Sequence, residues 1–135
     1  MDDRAARDFH DALDYAERML GSRLEPSLAE IVGEPANAAE FKRIATVQTF
    51  GDAWPRDEHL DRRTRALVSV AVAATLGTRE PLRGQISVAL HNGATKEEIV
   101  EVFIQLAAYA GVARAFEGYT IAAQVFSDNQ EENTA

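Results

Sequence analysis

The stretch that decides the fold is residues 60–110, which read LDRRTRALVSVAVAATLGTREPLRGQISVALHNGATKEEIVEVFIQLAAYA. Gly77 and Gly93 divide this stretch into three segments, and the apolar residues of each segment recur at helical spacing. The third segment has the clearest start signal, because Thr95 and Glu98 match a capping box directly before an apolar run. The stretch therefore predicts three consecutive helices.

The first two of these helices differ in their hydrophobic pattern. Residues 62–76 are apolar on nearly every side, which is typical of a buried helix. Gly77 ends this helix and Thr78 is placed to cap the next one. Pro81 then occupies the first turn of the second helix, where its missing N–H costs little. We therefore expect the helix over 62–76 to be buried among its neighbours.

The segment before this stretch predicts two further helices. Apolar residues recur at helical spacing over residues 4–21, where Gly21 closes the helix, and again from about 36 to 50, where Gly51 ends it. Between these two helices the sequence also allows a short helix around residues 28–32.

The last helix is predicted over residues 113–126, after a break at Gly111, and residues 127–135 form a polar tail. No stretch alternates convincingly with period two, so the class is all-α: a compact bundle of about six or seven helices with short loops. We predict a single domain over residues 1–135. Its ends, residues 1–3 and 128–135, are expected to fray.

Composition excludes several classes of function and of site. The chain has 14 basic and 22 acidic residues and a net charge of −8, which argues against a non-specific nucleic-acid binder. It has no cysteine, which excludes disulfides, thiol redox chemistry and thiolate metal sites and fits a cytoplasmic protein. The first residues lack the apolar core of a signal peptide, and the apolar run over 66–76 is too short for a membrane span of about 20 residues.

Two arginines and one glutamate are candidate substrate-binding and catalytic residues. Arg62 and Arg65 lie three residues apart at a helix start, so they share a face and are able to clamp a dianionic substrate. The alternative is ion pairing with nearby carboxylates or with another subunit. Glu80 is a candidate general acid or base if it lies in an apolar pocket. The alternative is a favourable interaction with the helix dipole.

Other candidates are polar or aromatic. Gln85 lies beside a buried stripe, and His91 is either a proton carrier or a cation that interacts with the dipole of its own helix end. Trp54 and Tyr109 belong to a set of aromatic residues that either wall a cavity or form core and interface. No two histidines and a carboxylate have convincing metal-ligand spacing, so we expect no metal site.

The order of motifs resembles the carboxymuconolactone decarboxylase family, within the alkylhydroperoxidase D-like superfamily. In that family a tryptophan precedes a Leu-Asp-x-x-Thr-Arg helix start, then come Ala-Leu-x-x-Gly-x-Thr-x-Glu-Glu-Ile and Tyr-x-Gly-Val. This chain supplies Trp54, Leu60, Asp61, Thr64, Arg65, Ala89, Leu90, Gly93, Thr95, Glu97, Glu98, Ile99, Tyr109, Gly111 and Val112.

The resemblance implies a compact all-helical protein that assembles into homo-oligomers, often trimers or hexamers. It also implies cofactor-independent decarboxylation of a lactone in aromatic breakdown, or peroxidase chemistry in a second branch that uses a Cys-x-x-Cys pair and a histidine. This chain departs from both branches. The cysteine positions correspond to Thr78 and Pro81, the shared histidine to Gln85, and a further histidine common among the decarboxylases to Gln48.

An amide orients a carbonyl but does not exchange protons near neutral pH. Our first hypothesis is therefore a lyase or isomerase for a small carboxylate or lactone other than 4-carboxymuconolactone itself, without cofactor, nucleic acid or membrane. It assigns catalysis to Glu80 and His91 and substrate binding to Arg62, Arg65, Gln85, Gln48, Trp54 and Tyr109. The alternative is an inactive oligomeric binding or scaffold protein of the same fold.

Overall fold

Six α-helices and no strand are present in the computed structural model, which describes the backbone of residues 2–134 and the side chains of residues 2–132. The all-α prediction is confirmed. No helix in this part of the chain combines the length and the apolar character that crossing a bilayer requires. The helices are α1 Asp3–Leu20, α2 Ala38–Thr46, α3 Arg62–Leu76, α4 Arg79–His91, α5 Lys96–Ala110 and α6 Val112–Thr134.

The chain divides into two compact units, Met1–Asp61 and Arg62–Ala135. In the first unit, α1 packs against α2 and against a π-helical segment, Val47–Ala53, that continues α2. The Asp2 side chain caps α1 by accepting the N–H of Ala5 at 2.7 Å. Gly21 closes α1 in the left-handed conformation, as the sequence predicts.

The expectation that Gly51 ends the second helix is wrong. Gly51 lies inside the π-helical segment, and a Cβ built there would stand 3.6 Å from the Cβ of Ala12 on α1 and 3.5 Å from Val47 Cγ1. Both distances are ordinary van der Waals contacts, so this position does not require glycine, and the helical turns continue past it to Ala53. The first unit also lacks the short helix expected at 28–32. A single 3₁₀ turn, Glu25–Leu28, forms earlier because Pro26 suits its first turn.

A partly buried ion pair holds the loop that precedes α2. The Lys42 Nζ donates to Glu34 Oε1 at 2.6 Å and to the Ala29 carbonyl at 3.4 Å. The same Glu34 oxygen accepts the N–H of Ile31 at 3.1 Å. The Lys42 ammonium and the Ile31 N–H hold the pKa of Glu34 below its ordinary value of 4.5, because their hydrogen bonds favour the ionised carboxylate.

This pair makes the stability of the first unit depend on pH. A lowered pKa stabilises the folded state above the ordinary value of 4.5, and that contribution disappears as the pH falls through the folded value. We expect Glu34→Gln to lower the Tm near neutral pH and the difference from wild type to vanish in acid. Thermal unfolding of both proteins, followed by circular dichroism from acid to neutral pH, tests this expectation. Glu30→Gln, on an exposed neighbour, should show no such convergence.

The second unit is built on an α3–α4 hairpin that packs against α5 and α6. Its core consists of side chains that are completely or almost completely buried: Ala66, Val70, Ala74, Leu82, Ile86, Ala89, Ile99, Ile121 and Ala122. Alanines occupy much of the α3 face of this core, so the neighbouring helices approach α3 closely.

The capping box at the start of α5 is confirmed. Thr95 accepts the Glu98 N–H at 3.0 Å, and Glu98 accepts the Thr95 N–H at 2.9 Å. Thr78 behaves differently from the prediction. It occupies the N-cap position of α4, but its hydroxyl donates to the Ala73 carbonyl at 3.2 Å and makes no capping bond. It therefore ties α4 back to the end of α3.

The C-terminal tail, which the sequence predicts to fray, is helical in its described part. α6 runs without a break from Val112 to Thr134. No glycine or proline follows Gly118 in the sequence, so nothing stops a helix that the packing of the preceding turns has already nucleated. Residues 1 and 135, also expected to fray, lie outside the described residues.

One side of α3 is exposed, although the sequence predicted burial on nearly every side. Val68, Val72 and Leu76 are 50%, 53% and 66% exposed and follow one another at intervals of four residues. α4, α5 and α6 all pack on α3 within the second unit and leave this fourth side open. We call these three residues the α3 ridge.

Candidate functional site

A cleft between α3 and α4 contains Gln85. Its volume is about 320 Å³. The walls are mostly apolar and include Val72 and Leu76 of the α3 ridge. Polar groups come from Ser69, Thr78 and Gln85, and we call this site the Gln85 cleft.

The Gln85 side chain has an unmet hydrogen-bonding requirement. Its Oε1 atom is inaccessible to solvent and has no hydrogen-bond partner among the described residues. A buried acceptor left unsatisfied costs about 1–3 kcal/mol, so an amide in this state is placed to gain from a donor supplied by a ligand or by a rearrangement. Gln85 is therefore suited to orienting a polar group, and not to transferring a proton.

Arg62 and Arg65 lie on the side of α3 that leads to this cleft. Ser69 follows Arg65 by four residues, and Val72 and Leu76 continue the same side of the helix. Both arginine side chains are half-buried. The structure thus places two cations within about one and two helical turns of the cleft wall, on a surface suited to holding the anionic end of a molecule whose apolar part lies in the cleft.

Glu80 and His91 do not join this arrangement. α4 turns by about 100° per residue, so Glu80 and His91 point more than 100° away from Gln85 around the helix. Both are exposed, and the Glu80 side chain, 84% exposed, lies 3.8 Å from the Nε of Arg83. The structure therefore does not give Glu80 the apolar pocket that an acid–base role requires.

Tyr109 lies at a second cleft, between α3 and α5, with a volume of about 510 Å³. Its floor includes Leu67 and Leu106, and Glu98 and Glu101 are its acidic lining residues. Val68 of the α3 ridge lines both clefts, so the ridge separates them. Tyr109 and Gln85 therefore belong to opposite sides of one helix rather than to one pocket.

Two relevant residues were missed in the sequence. Arg63 forms an ion pair with Glu98 and so fixes the start of α3 to the start of α5. Ser69 lines the Gln85 cleft. Ser69 follows Arg65 by one helical turn, and this spacing could have indicated from the sequence that the two share a face of α3. The Arg63 pairing joins positions 35 residues apart and required the tertiary structure.

Gln48 and Trp54 lie in the first unit. Gln48 is exposed within the π-helical segment. Trp54 is buried, and its carbonyl accepts the Tyr15 hydroxyl at 2.9 Å, which joins the end of that segment to α1. Trp54 therefore has a structural role in its own unit, in addition to any contact with substrate.

Among the described residues, one group has the ligand types and spacing that a metal ion needs. His10, Asp11 and Asp14 lie on α1 with their ligand atoms within 4.8 Å of one another, and all three are exposed. His10 Nδ1 already lies 3.4 Å from Asp14 Oδ2. An exposed cluster of this kind is ordinary on an acidic surface.

This chain matches one family model and is similar in sequence to known proteins. The family model described as "Carboxymuconolactone decarboxylase family" matches residues 39–124. A 4-carboxymuconolactone decarboxylase from Acinetobacter baylyi is 33% identical over 89 residues, which are 66% of this chain and 66% of the length of that relative. An uncharacterised 15.0 kDa protein from Paracoccus denitrificans is 31% identical over 129 residues, 94% of this chain and 86% of its own length.

Proposed function

Because this chain belongs to the carboxymuconolactone decarboxylase family, we propose that it is a cofactor-independent lyase for a small lactone or other cyclic compound that carries a carboxylate. Its substrate differs from 4-carboxymuconolactone, since an amide stands where the family has a histidine. The cysteine-free composition favours action in the cytoplasm.

The observation that carries this proposal is the position of Gln85. An apolar cleft holds one amide with a buried, unsatisfied oxygen, and Arg65 lies one turn along the adjoining face of α3. Pockets for small molecules typically combine mostly apolar walls with a few placed polar groups. The ring of a cyclic acid fits the apolar walls, and its carboxylate fits the arginines.

In the proposed reaction, the bond between the carboxylate carbon and the ring breaks and CO₂ leaves. The electron pair of that bond moves toward the neighbouring carbonyl, whose oxygen gains negative charge. The Gln85 amide donates an N–H to this oxygen once its side chain has rotated so that the N–H, in place of Oε1, meets it, and this hydrogen bond lowers the barrier. A proton from water then adds to the ring carbon, since Glu80 and His91 lie on other faces of α4.

One observation favours a second candidate function. Within the described part of the second unit, the titratable candidates Glu80 and His91 are exposed and turned away from Gln85. A cleft without a titratable acid or base suits the binding of a small molecule as well as catalysis. The second candidate is therefore a non-catalytic binding protein that uses the same cleft for the same class of ligand.

We also propose that the protein forms a homo-oligomer, a trimer or hexamer. Exposed apolar side chains in the second unit support this proposal: Val68, Val72, Leu76, Ile104, Tyr109, Val112, Phe116 and Tyr119. Exposed apolar side chains of this kind are typical of protein–protein contacts.

Thermal shift against a panel of cyclic carboxylates and lactones tests the proposed function. A ligand at 100 times its Kd should add about 2.7 kcal/mol to the free energy of unfolding. We expect Arg65→Ala to abolish the shift given by carboxylates, and Gln85→Leu to reduce the shift given by lactones that lack a carboxylate.

Arg7→Ala, on an exposed residue of α1, is the matched control and should keep the full shift. CO₂ release from the stabilising compounds then separates the two candidates, because only the lyase gives turnover. A panel without any stabilising compound, or shifts that survive both cleft substitutions, would contradict a ligand site at Gln85.

A further inference from the structure

The cleft between α3 and α5, which we call the Tyr109 cleft, is mostly apolar and has no basic residue in its lining. Its volume of about 510 Å³ is typical of a small-molecule site. Along α5 its lining includes a row at intervals of four residues, Glu101, Gln105 and Tyr109. Residues four apart are neighbours on a helix surface, so this row is a continuous polar and aromatic edge beside the apolar floor.

The two carboxylates of this cleft differ in what they already bind. One oxygen of Glu98 accepts the Thr95 N–H at 2.9 Å, and the other pairs with Arg63. The Glu101 carboxylate is exposed and has no ion pair or hydrogen bond among the described residues. The cleft therefore contains one negative charge that no nearby cation compensates.

The other arginines at the start of α3 lie on the opposite side of that helix. Arg62 and Arg65 are turned by about 100° or more around α3 from Thr64, which lines the Tyr109 cleft. α3 thus separates a cleft that has cations beside it from a cleft that has a carboxylate in its lining. The net charge of −8 adds a field that attracts cations to the second of these.

We propose that the Tyr109 cleft binds a small organic cation, a primary amine attached to an aromatic body. The ammonium group donates to the Glu101 carboxylate and to the amide oxygen of Gln105, one turn further along α5. The apolar part lies on Leu67 and Leu106, and the aromatic end contacts the ring of Tyr109. Glu101 and Tyr109 are eight residues apart, about 12 Å along the helix, which sets the length of the ligand.

Charge selects the amine among ligands of this shape. A neutral molecule of the same size contacts the apolar floor equally well, but only an ammonium group gains a charge-assisted hydrogen bond to Glu101. A carboxylate in the same place is repelled. A second ammonium group would lie over the apolar floor and lose its hydration without gaining a partner. The site therefore favours a monoamine.

Titration calorimetry at low salt tests this site with phenylalkylamines that differ in the length of the chain between ring and amine. The alcohol and the carboxylic acid of each length are the matched ligands. We expect the alcohol to bind about three- to fivefold more weakly than the amine, which corresponds to one exposed ion pair, and the acid to bind more weakly still. Raising the salt concentration should remove the preference for the amine, because Glu101 is exposed. Equal affinity for amine and alcohol, or no binding by any amine of the series, would overturn the site.

Glu101→Gln identifies the charge that the amine contacts. We expect it to weaken the binding of phenylbutylamine by about three- to fivefold and to leave the binding of phenylbutanol unchanged. Glu97→Gln is the matched control, because it makes the same charge change at an exposed glutamate of α5 that lies outside the cleft. Equal losses in the two variants would show general attraction by the net charge and would overturn a contact at Glu101.

Tyr109→Ala tests the aromatic end of the site. Tyr109 is 84% exposed, so the substitution removes no core packing, and circular dichroism should show an unchanged fold. We expect phenylbutylamine to bind about fivefold more weakly, while Tyr109→Phe, which keeps the ring, should bind as wild type does. An unchanged Kd in Tyr109→Ala would overturn the site. These outcomes do not bear on the proposed function, because Val68 is the only described residue that lines both clefts.

Discussion

We expect Ile86→Ala to lower the free energy of unfolding by about 2–5 kcal/mol, the cost of removing a large aliphatic side chain from a packed core. Ile86 is completely buried on α4, and α4 packs against α3, α5 and α6. The core around it is rich in alanine, and short side chains cannot extend into a cavity. The upper half of this range is therefore expected, with a fall in Tm of roughly 12–18 °C.

Ile31→Ala is the matched control for this prediction. Ile31 undergoes the same substitution but is 72% exposed, so its effect should stay within about 0.5 kcal/mol. Chemical denaturation of both variants measures the difference. Similar losses for the two variants would contradict the placement of Ile86 at the centre of the second unit, and with it the position of Gln85 one residue earlier.

Local signals predicted the helices of the second unit well. Thr95 and Glu98 satisfy each other within four residues, so their capping box needs no tertiary information. Gly77, Gly93 and Gly111 all have positive φ values and lie at the ends of helices. Each of these signals depends only on neighbours in the chain, and each helix boundary except the C-terminal end of α6 agrees with the sequence to within about two residues.

Signals that depend on packing were misinterpreted. Gly51 looked like a helix end, but it lies in ordinary contact with Ala12 of α1 and the helical turns continue past it. The composition of α3 predicted burial on every side, but the number of neighbouring helices decides how many sides are covered. Neither the partner of a glycine nor the number of neighbours of a helix is encoded in its own stretch of sequence.

The candidate site also contains some features that local sequence predicts and others that depend on packing. The sequence placed Arg62 and Arg65 on one face of α3, which follows from helical geometry alone. It grouped Glu80, Gln85 and His91 as one site because they share α4, although they point in different directions around it. It did not find Ser69, which becomes part of the site only when α3 folds back against α4.

The substitution with the largest expected effect on activity is Gln85→His. A positioned general acid or base contributes typically 10²–10⁴-fold, and the amide supplies none of this. If the Gln85 cleft binds a carboxylated lactone, a histidine there can protonate the ring carbon from which CO₂ has left. We expect turnover of 4-carboxymuconolactone, the compound named for the Acinetobacter relative, to rise by at least about 100-fold.

The pH dependence of this variant identifies the role of the new histidine. As the proton donor it must be charged, so the gain should be largest below its ordinary pKa of about 6.5 and should fall as the pH rises through it. Gln85→Asn keeps an amide and should show no gain. Gln105→His, which places a histidine in the neighbouring Tyr109 cleft, should also show none.

An inactive Gln85→His variant has two distinct explanations, which a binding measurement resolves. If the variant folds and binds the lactone but does not release CO₂, the cleft is a binding site and the non-catalytic function is favoured. If it folds and binds nothing, the cleft is not the substrate site. A gain that appears equally in Gln105→His, in the Tyr109 cleft on the other side of the α3 ridge, would show that the effect does not depend on the Gln85 cleft.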